Sequence, residues 1–233
     1  MINTDFPLYS LFIIIALLSN IIIILLTSKY SKIETICLLL YENTGILLGA
    51  KLLTYILNYS KYDKFDFFKL GLSSYGAVIG ALLFLLLFSL QFKKLFKDLL
   101  SLFIVPIPLM YAIGKIGCFL VGCCYGIKYS GIFSVVYNYS LHAPVGVSLF
   151  PIQLVESIVF LLIFIYMLNK KLQNKFNTQT IGISFIFCGL AKFILDFFRM
   201  SHQNVILSIN QYISLIFIVV GFIILLSLKK NKI

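Results

Sequence analysis

The chain has 233 residues, is 61% hydrophobic and only 12% charged, and combines a mean hydropathy of +1.05 with a net charge of +11. No soluble domain has an interior large enough for that much apolar surface, so composition specifies an integral membrane protein. The basic excess suggests a nucleic-acid partner, but the lysines lie between apolar runs rather than in one patch, which argues against it.

A helix needs about 20 apolar residues to cross about 30 Å of hydrocarbon. Seven runs qualify, at 8–27, 35–58, 72–91, 99–121, 150–168, 179–198 and 209–228. They are continuous rather than alternating, which points to helices and not to a barrel. The predicted fold class is therefore all-α, a single polytopic membrane domain over residues 1–233. A cleavable signal peptide does not explain seven runs, and "MINTDFPLYS" lacks the basic region of one.

The first span is uncharged. The second carries Glu42 and, within "GILLGAKLLTY", Lys51. The third opens with "SSYGAVIGALL", where Gly76 and Gly80 form a small-xxx-small pattern that favours close helix packing. Tyr75 is expected at the outer interface, with its ring as an anchor.

The fourth span ends in "GKIGCFLVGCCYG", residues 114–126. Gly117, Gly122 and Gly126 allow close backbone approach, or a left-handed residue where the helix breaks. A broken helix at membrane depth is tolerated where it lines a cavity, and Lys115 is expected at that cavity's mouth. Cys118, Cys123 and Cys124 are spaced by five and six residues with no histidine pair following, which does not read as a zinc set. They are expected as free, compact packing residues, with a disulfide permitted on the outer side. Residues 122–149 read as a long Gly/Tyr/Ser-rich loop.

The fifth span opens with "SLFPIQLVES". Pro151 suits a first helical turn, and Gln153 and Glu156, three apart, share an inward face. Glu156 reads either as a general base or as the group that orients a cation. In the sixth span "LAKFILDFFRM" places Lys192, Asp196 and Arg199 at i, i+4 and i+7, on one helical face. Asp196 is expected to bridge both cations, and the guanidinium suits an anionic headgroup. His142 and His202 fall in outer loops as surface residues.

With the N-terminus outside, Lys29, Lys32, Lys93, Lys94, Lys97, Lys170, Lys171, Lys175, Lys229, Lys230 and Lys232 face inward. Only Lys61, Lys64, Lys69, Lys128 and Arg199 face outward. The bias predicts N-out, C-in, with the long loop outside. Lys51, Lys115, Lys192, Glu42, Glu156 and Asp196 remain at membrane depth, where charge is costly and marks a functional cavity.

Taken together, these motifs resemble the prolipoprotein diacylglyceryl transferase family. "GILLGAKLLTY", "YGAVIGALL", "GKIGCFLVGCCYG", "LFPIQLVES" and "GLAKFILDFFRM" follow the order and spacing of five family motifs across nearly the whole chain. The resemblance implies an enzyme of the plasma (inner) membrane that moves a diacylglyceryl group from phosphatidylglycerol to the lipobox cysteine of a preprolipoprotein, releasing glycerol phosphate. Its implied partners are phosphatidylglycerol, lipobox-containing preproteins and membrane lipid, with no nucleic acid, no metal and no cofactor. The chain departs from the family's pattern in carrying Lys51, Lys115 and Lys192 for arginines, Asp196 for a glutamate, and Tyr75 and Phe150 for histidines. Catalysis is expected from Tyr75, Glu156 and Lys115. Substrate binding is expected from Lys51, Gly122, Gly126, Gln153, Lys192, Asp196 and Arg199. The alternative is a catalytically silent relative that binds lipid or peptide. A transporter is disfavoured because the halves show no internal repeat.

Overall fold

The computed structural model describes residues 7–59, 70–140, 142–203 and 205–230. Of the lysines used for orientation, Lys61, Lys64, Lys69 and Lys232 lie outside those residues. The described residues form eight α-helices: α1 (Pro7–Thr27), α2 (Lys32–Leu57), α3 (Ser74–Phe92), α4 (Phe96–Phe103), α5 (Ile107–Val121), α6 (Ile152–Leu172), α7 (Thr178–Asp196) and α8 (Ile209–Lys230). Among the described residues seven spans are long and apolar enough to cross a membrane, with α4 and α5 sharing one.

The predicted fourth helix is thus two helices. Residues 104–106 are a turn, and Pro106 is the reason: it has no N–H to donate, and in a continuous helix its ring would clash with the carbonyl of Leu102, four residues earlier. Large apolar side chains such as Leu26, Ile33, Leu83 and Leu162 point outward, at 77%, 77%, 57% and 61% exposure. Such exposed apolar side chains suit lipid.

The chain forms two compact units, Ile21–Phe103 and a second that combines residues 1–20 with Ile104–Ile233. In the first, α2 and α3 pack through glycines from both helices. A Cβ on Gly49 would collide with the Gly76 carbonyl oxygen, and one on Gly80 with the Gly45 carbonyl oxygen. The expected Gly76/Gly80 stripe therefore meets a matching Gly45/Gly49 stripe. Tyr75 is buried rather than interfacial, because the Gly76–Gly49 contact draws the first turn of α3 inward. Lys51 donates to the Leu70 carbonyl at 2.5 Å, and the Ser73 hydroxyl caps α3 by accepting from the Gly76 N–H at 3.2 Å. Replacing Gly49 with valine should lower unfolding stability by about 1–3 kcal/mol, because the backbones cannot part without losing their whole contact. A thermal melt in detergent checks it, and an unchanged midpoint would refute the glycine contact.

In the second unit α7 and α8 use the same device, with Gly182 and Gly221 facing each other's carbonyls. The predicted loop 122–149 is partly ordered as a small sheet. Strand β1 (Val135–Val136) pairs antiparallel with β2 (Ser148–Leu149), in the register Val135 to Leu149 and Val136 to Ser148. The Tyr137 hydroxyl donates to the Phe119 carbonyl at 2.9 Å, and burial pushes its pKa up to about 12, so it remains a donor. His142 is exposed, as expected. His202 is not: it is buried, 2.7 Å from the Gln211 side-chain oxygen, with its ring centroid 4.7 Å from that of Phe197. The chain after α7 folds back as a 3-10 turn, Met200–His202, and encloses the imidazole.

Candidate active site

Within the second unit α5, α6 and α7 bring one buried polar cluster together. On α5, Tyr111 and Lys115 are four residues apart and share a face. The Lys115 ammonium meets Glu156 Oε2 at 2.8 Å, and Arg199 Nη2 meets Glu156 Oε1 at 2.5 Å. The Tyr111 hydroxyl donates to Glu156 Oε1 at 2.8 Å and accepts from Lys192 Nζ and Arg199 Nη2, each at 3.1 Å. Lys192 Nζ also lies 4.4 Å from the centroid of the Tyr111 ring, a cation–π distance. Lys115, Glu156, Lys192, Asp196 and Arg199 are all less than 9% exposed. Lys115 is therefore an enclosed ion-pair partner rather than a residue at a cavity mouth, because Glu156 draws it in.

Glu156 sits on the first turns of α6, three residues after Gln153, as the sequence implies. Gln153 faces inward too, and its amide donates to the Cys123 carbonyl at 2.9 Å, tying α6 to the chain leaving α5. Gly122 closes α5 as a left-handed cap with φ of 72°. Gly126 forms an antiparallel bridge to Arg199, flanked by Ile127 N–H to Phe198 O at 3.0 Å and Met200 N–H to Tyr125 O at 3.2 Å. A side chain at Gly126 would strike the Phe150 carbonyl oxygen. Gly122 and Gly126 thus set the path of the chain.

That pairing corrects the expected helical face. Helix α7 stops at Asp196, and Arg199 is extended, with φ of −88° and ψ of 142°. Arg199 is aimed by backbone pairing to residues 125–127, not by an i+7 position on a helix. Its Nη1 lies 3.6 Å from Asp196 Oδ1, and Asp196 also accepts from the Ser208 hydroxyl. Glu156 joins two cations, Lys115 and Arg199, while Asp196 meets Arg199 from the other side. Burial disfavours the charge on Arg199, but the carboxylate of Glu156 outweighs it and holds the guanidinium pKa well above its ordinary value.

Three cations face two carboxylates here, so the cluster has an excess positive charge. Arg199 Nε–H is buried and has no acceptor among the described residues. More basic than acidic side chains and an unused guanidinium donor are the chemistry that an anion would complement. Tyr111 joins the cluster without a charge or motif of its own to mark it in the sequence. Its position four before Lys115, in "YAIGK", was the available signal. Replacing Tyr111 with phenylalanine should cut turnover by about 10–100-fold, since it removes a hydroxyl shared by three ionised partners. The melt should barely move, because the ring stays packed on Phe160 at 4.3 Å. Tyr75 and Lys51 belong to the other unit, where Tyr75 is buried and Lys51 holds the Leu70 carbonyl.

The chain is thus a polytopic helical protein with a buried, cation-rich cluster held by α5, α6 and the end of α7, and charge at such depth marks a functional site. Residues 2–227 match the family described as prolipoprotein diacylglyceryl transferase, and the chain belongs to that family. It is 32% identical over 193 residues to phosphatidylglycerol–prolipoprotein diacylglyceryl transferase 2 of Clostridium perfringens, covering 80% of this chain and 75% of that one. The phosphatidylglycerol–prolipoprotein diacylglyceryl transferase of Clostridium tetani is 29% identical, over 76% of this chain and 74% of its own. That of Finegoldia magna is 25% identical, over 87% and 84%.

Proposed function

We propose that this chain transfers the diacylglyceryl group of phosphatidylglycerol to the lipobox cysteine of a preprolipoprotein in the plasma membrane, with its N-terminus outside. The cysteine sulfur attacks the diacylglyceryl methylene carbon that is bonded to a phosphate oxygen. A carbon–sulfur bond forms, the carbon–oxygen bond breaks, and glycerol phosphate leaves with the electron pair. The thiol gives up its proton, which ends on the departing glycerol phosphate. The chemistry demands stabilisation of a departing phosphate in a dry site, which preorganised cations supply best. The observation that carries this reading is the surplus positive charge around Glu156, with Arg199 Nε–H still open.

In this reading Arg199, Lys115 and Lys192 bind the phosphate, and Glu156 and Tyr111 hold these cations in place. Asp196 steadies Arg199 from the other side, while Gln153, Gly122 and Gly126 fix the backbone that aims it. A carboxylate already engaged by two cations is a poor base, which favours the orienting role for Glu156. Tyr75 and Lys51 are assigned to the thiol proton and to lipid binding respectively, on the family resemblance. The test is to mix purified protein, phosphatidylglycerol and a lipobox peptide and to read the peptide mass. A gain of one diacylglyceryl unit is expected; an unmodified peptide with lipid still bound would leave a binding relative as the correct reading.

A further inference from the structure

The thiols that the sequence spacing sets apart are gathered in space. The Sγ atoms of Cys118, Cys123 and Cys124 all lie within 4.8 Å of one another, the one such group of potential ligands found among the described residues. All three thiols are free. The backbone explains the convergence. Cys118 is on the last turn of α5, and Gly122 ends that helix in the left-handed region. Two residues later Cys124 is left-handed again, with φ of 52°. A non-glycine residue pays about 1–2 kcal/mol for that conformation, so the surroundings must impose it. They do so from several sides: Cys123 N–H donates to the Cys118 carbonyl at 3.0 Å, Gln153 holds the Cys123 carbonyl, and Met200 N–H holds the carbonyl of Tyr125. The chain doubles back, and residues 123 and 124 face residue 118.

We propose that Cys118, Cys123 and Cys124 form a binding site for a thiophilic d10 metal ion, such as Zn(II) or Cu(I). Metal–sulfur bonds of about 2.3 Å place the sulfurs of a trigonal set about 4 Å apart, so the spacing seen needs only small side-chain rotations. Three thiolates and no oxygen ligand select soft ions over calcium or magnesium. The three residues grade from buried Cys118 through half-buried Cys123 to exposed Cys124. Binding displaces three thiol protons to solvent and leaves a divalent complex with one net negative charge. Lys115, one turn before Cys118 on the same helix, supplies a nearby cation.

Cadmium(II) chloride is the probe, titrated into the full chain in detergent after reduction and removal of the reductant. A thiolate-to-cadmium ultraviolet charge-transfer band should saturate at one ion per chain. Cys124→Ser, at an exposed position, should weaken binding by at least about tenfold while the melting curve is unchanged. Cys123→Ser should do the same, and a Cys37→Ser/Cys188→Ser double variant should bind like the parent. Absence of the band overturns the site, as does saturation that ignores Cys124→Ser or depends on Cys37 and Cys188. The readout is independent of lipid transfer, so it stands or falls apart from the proposed activity.

Discussion

Diacylglyceryl transfer by the Arg199→Ala variant should fall by at least about 100-fold, the loss typical of removing one donor from a preorganised anion site. Arg199 carries the open Nε–H and the shortest ion pair to Glu156, at 2.5 Å. Lys115→Ala should fall comparably, because its ammonium holds the other carboxylate oxygen of Glu156 at 2.8 Å. Arg199→Lys separates charge from shape: it keeps the cation and loses the planar fork, so an intermediate rate is expected. The measurement is initial rate by peptide mass at saturating lipid, alongside a melt. Rates within tenfold of the parent for both alanine variants would remove the phosphate clamp from the mechanism.

Glu156→Leu should be the most damaging substitution to the fold. It leaves Lys115 and Arg199 buried without their main counter-charge, and stranding one side of a buried ion pair costs about 3–5 kcal/mol. Glu156→Gln should cost less, since the amide oxygen still accepts from Tyr111 or Arg199. The pair of variants also separates the two readings of Glu156. If it orients cations, stability and transfer decline together from glutamate through glutamine to leucine. A Glu156→Gln protein with parental stability and no transfer would instead make the carboxylate a base.

The spans were legible because apolar runs of membrane length leave few alternatives, and the Gly76/Gly80 stripe was legible because only small residues let backbones meet. The break at Pro106 was masked by unbroken hydropathy across 99–121, although proline had the chemistry to cause it. Within the site, Lys115, Gln153, Glu156, Lys192 and Asp196 were readable as charge or amide at membrane depth. Tyr111 was hidden because a tyrosine in an apolar run looks like any other aromatic. For Arg199 the i+7 spacing suggests a helical face, whereas a backbone bridge to Gly126 determines its direction. The thiol cluster was invisible for a related reason. Ligand spacing rules assume a regular backbone, and two left-handed residues in close succession defeat them.

The bridge between Gly126 and Arg199 also bears on when the enzyme becomes complete. Its two partners are far apart in the chain, so closing it requires a long loop and is slow relative to local helix formation. During synthesis Lys115 and Glu156 emerge first and can pair with each other. The guanidinium arrives later and has no fixed direction until the segment around Tyr125 to Ile127 accepts it. A nascent chain lacking residues beyond α7 would thus carry a lysine–glutamate pair still without its guanidinium partner, and the cluster around Glu156 would close only once Arg199 had been made.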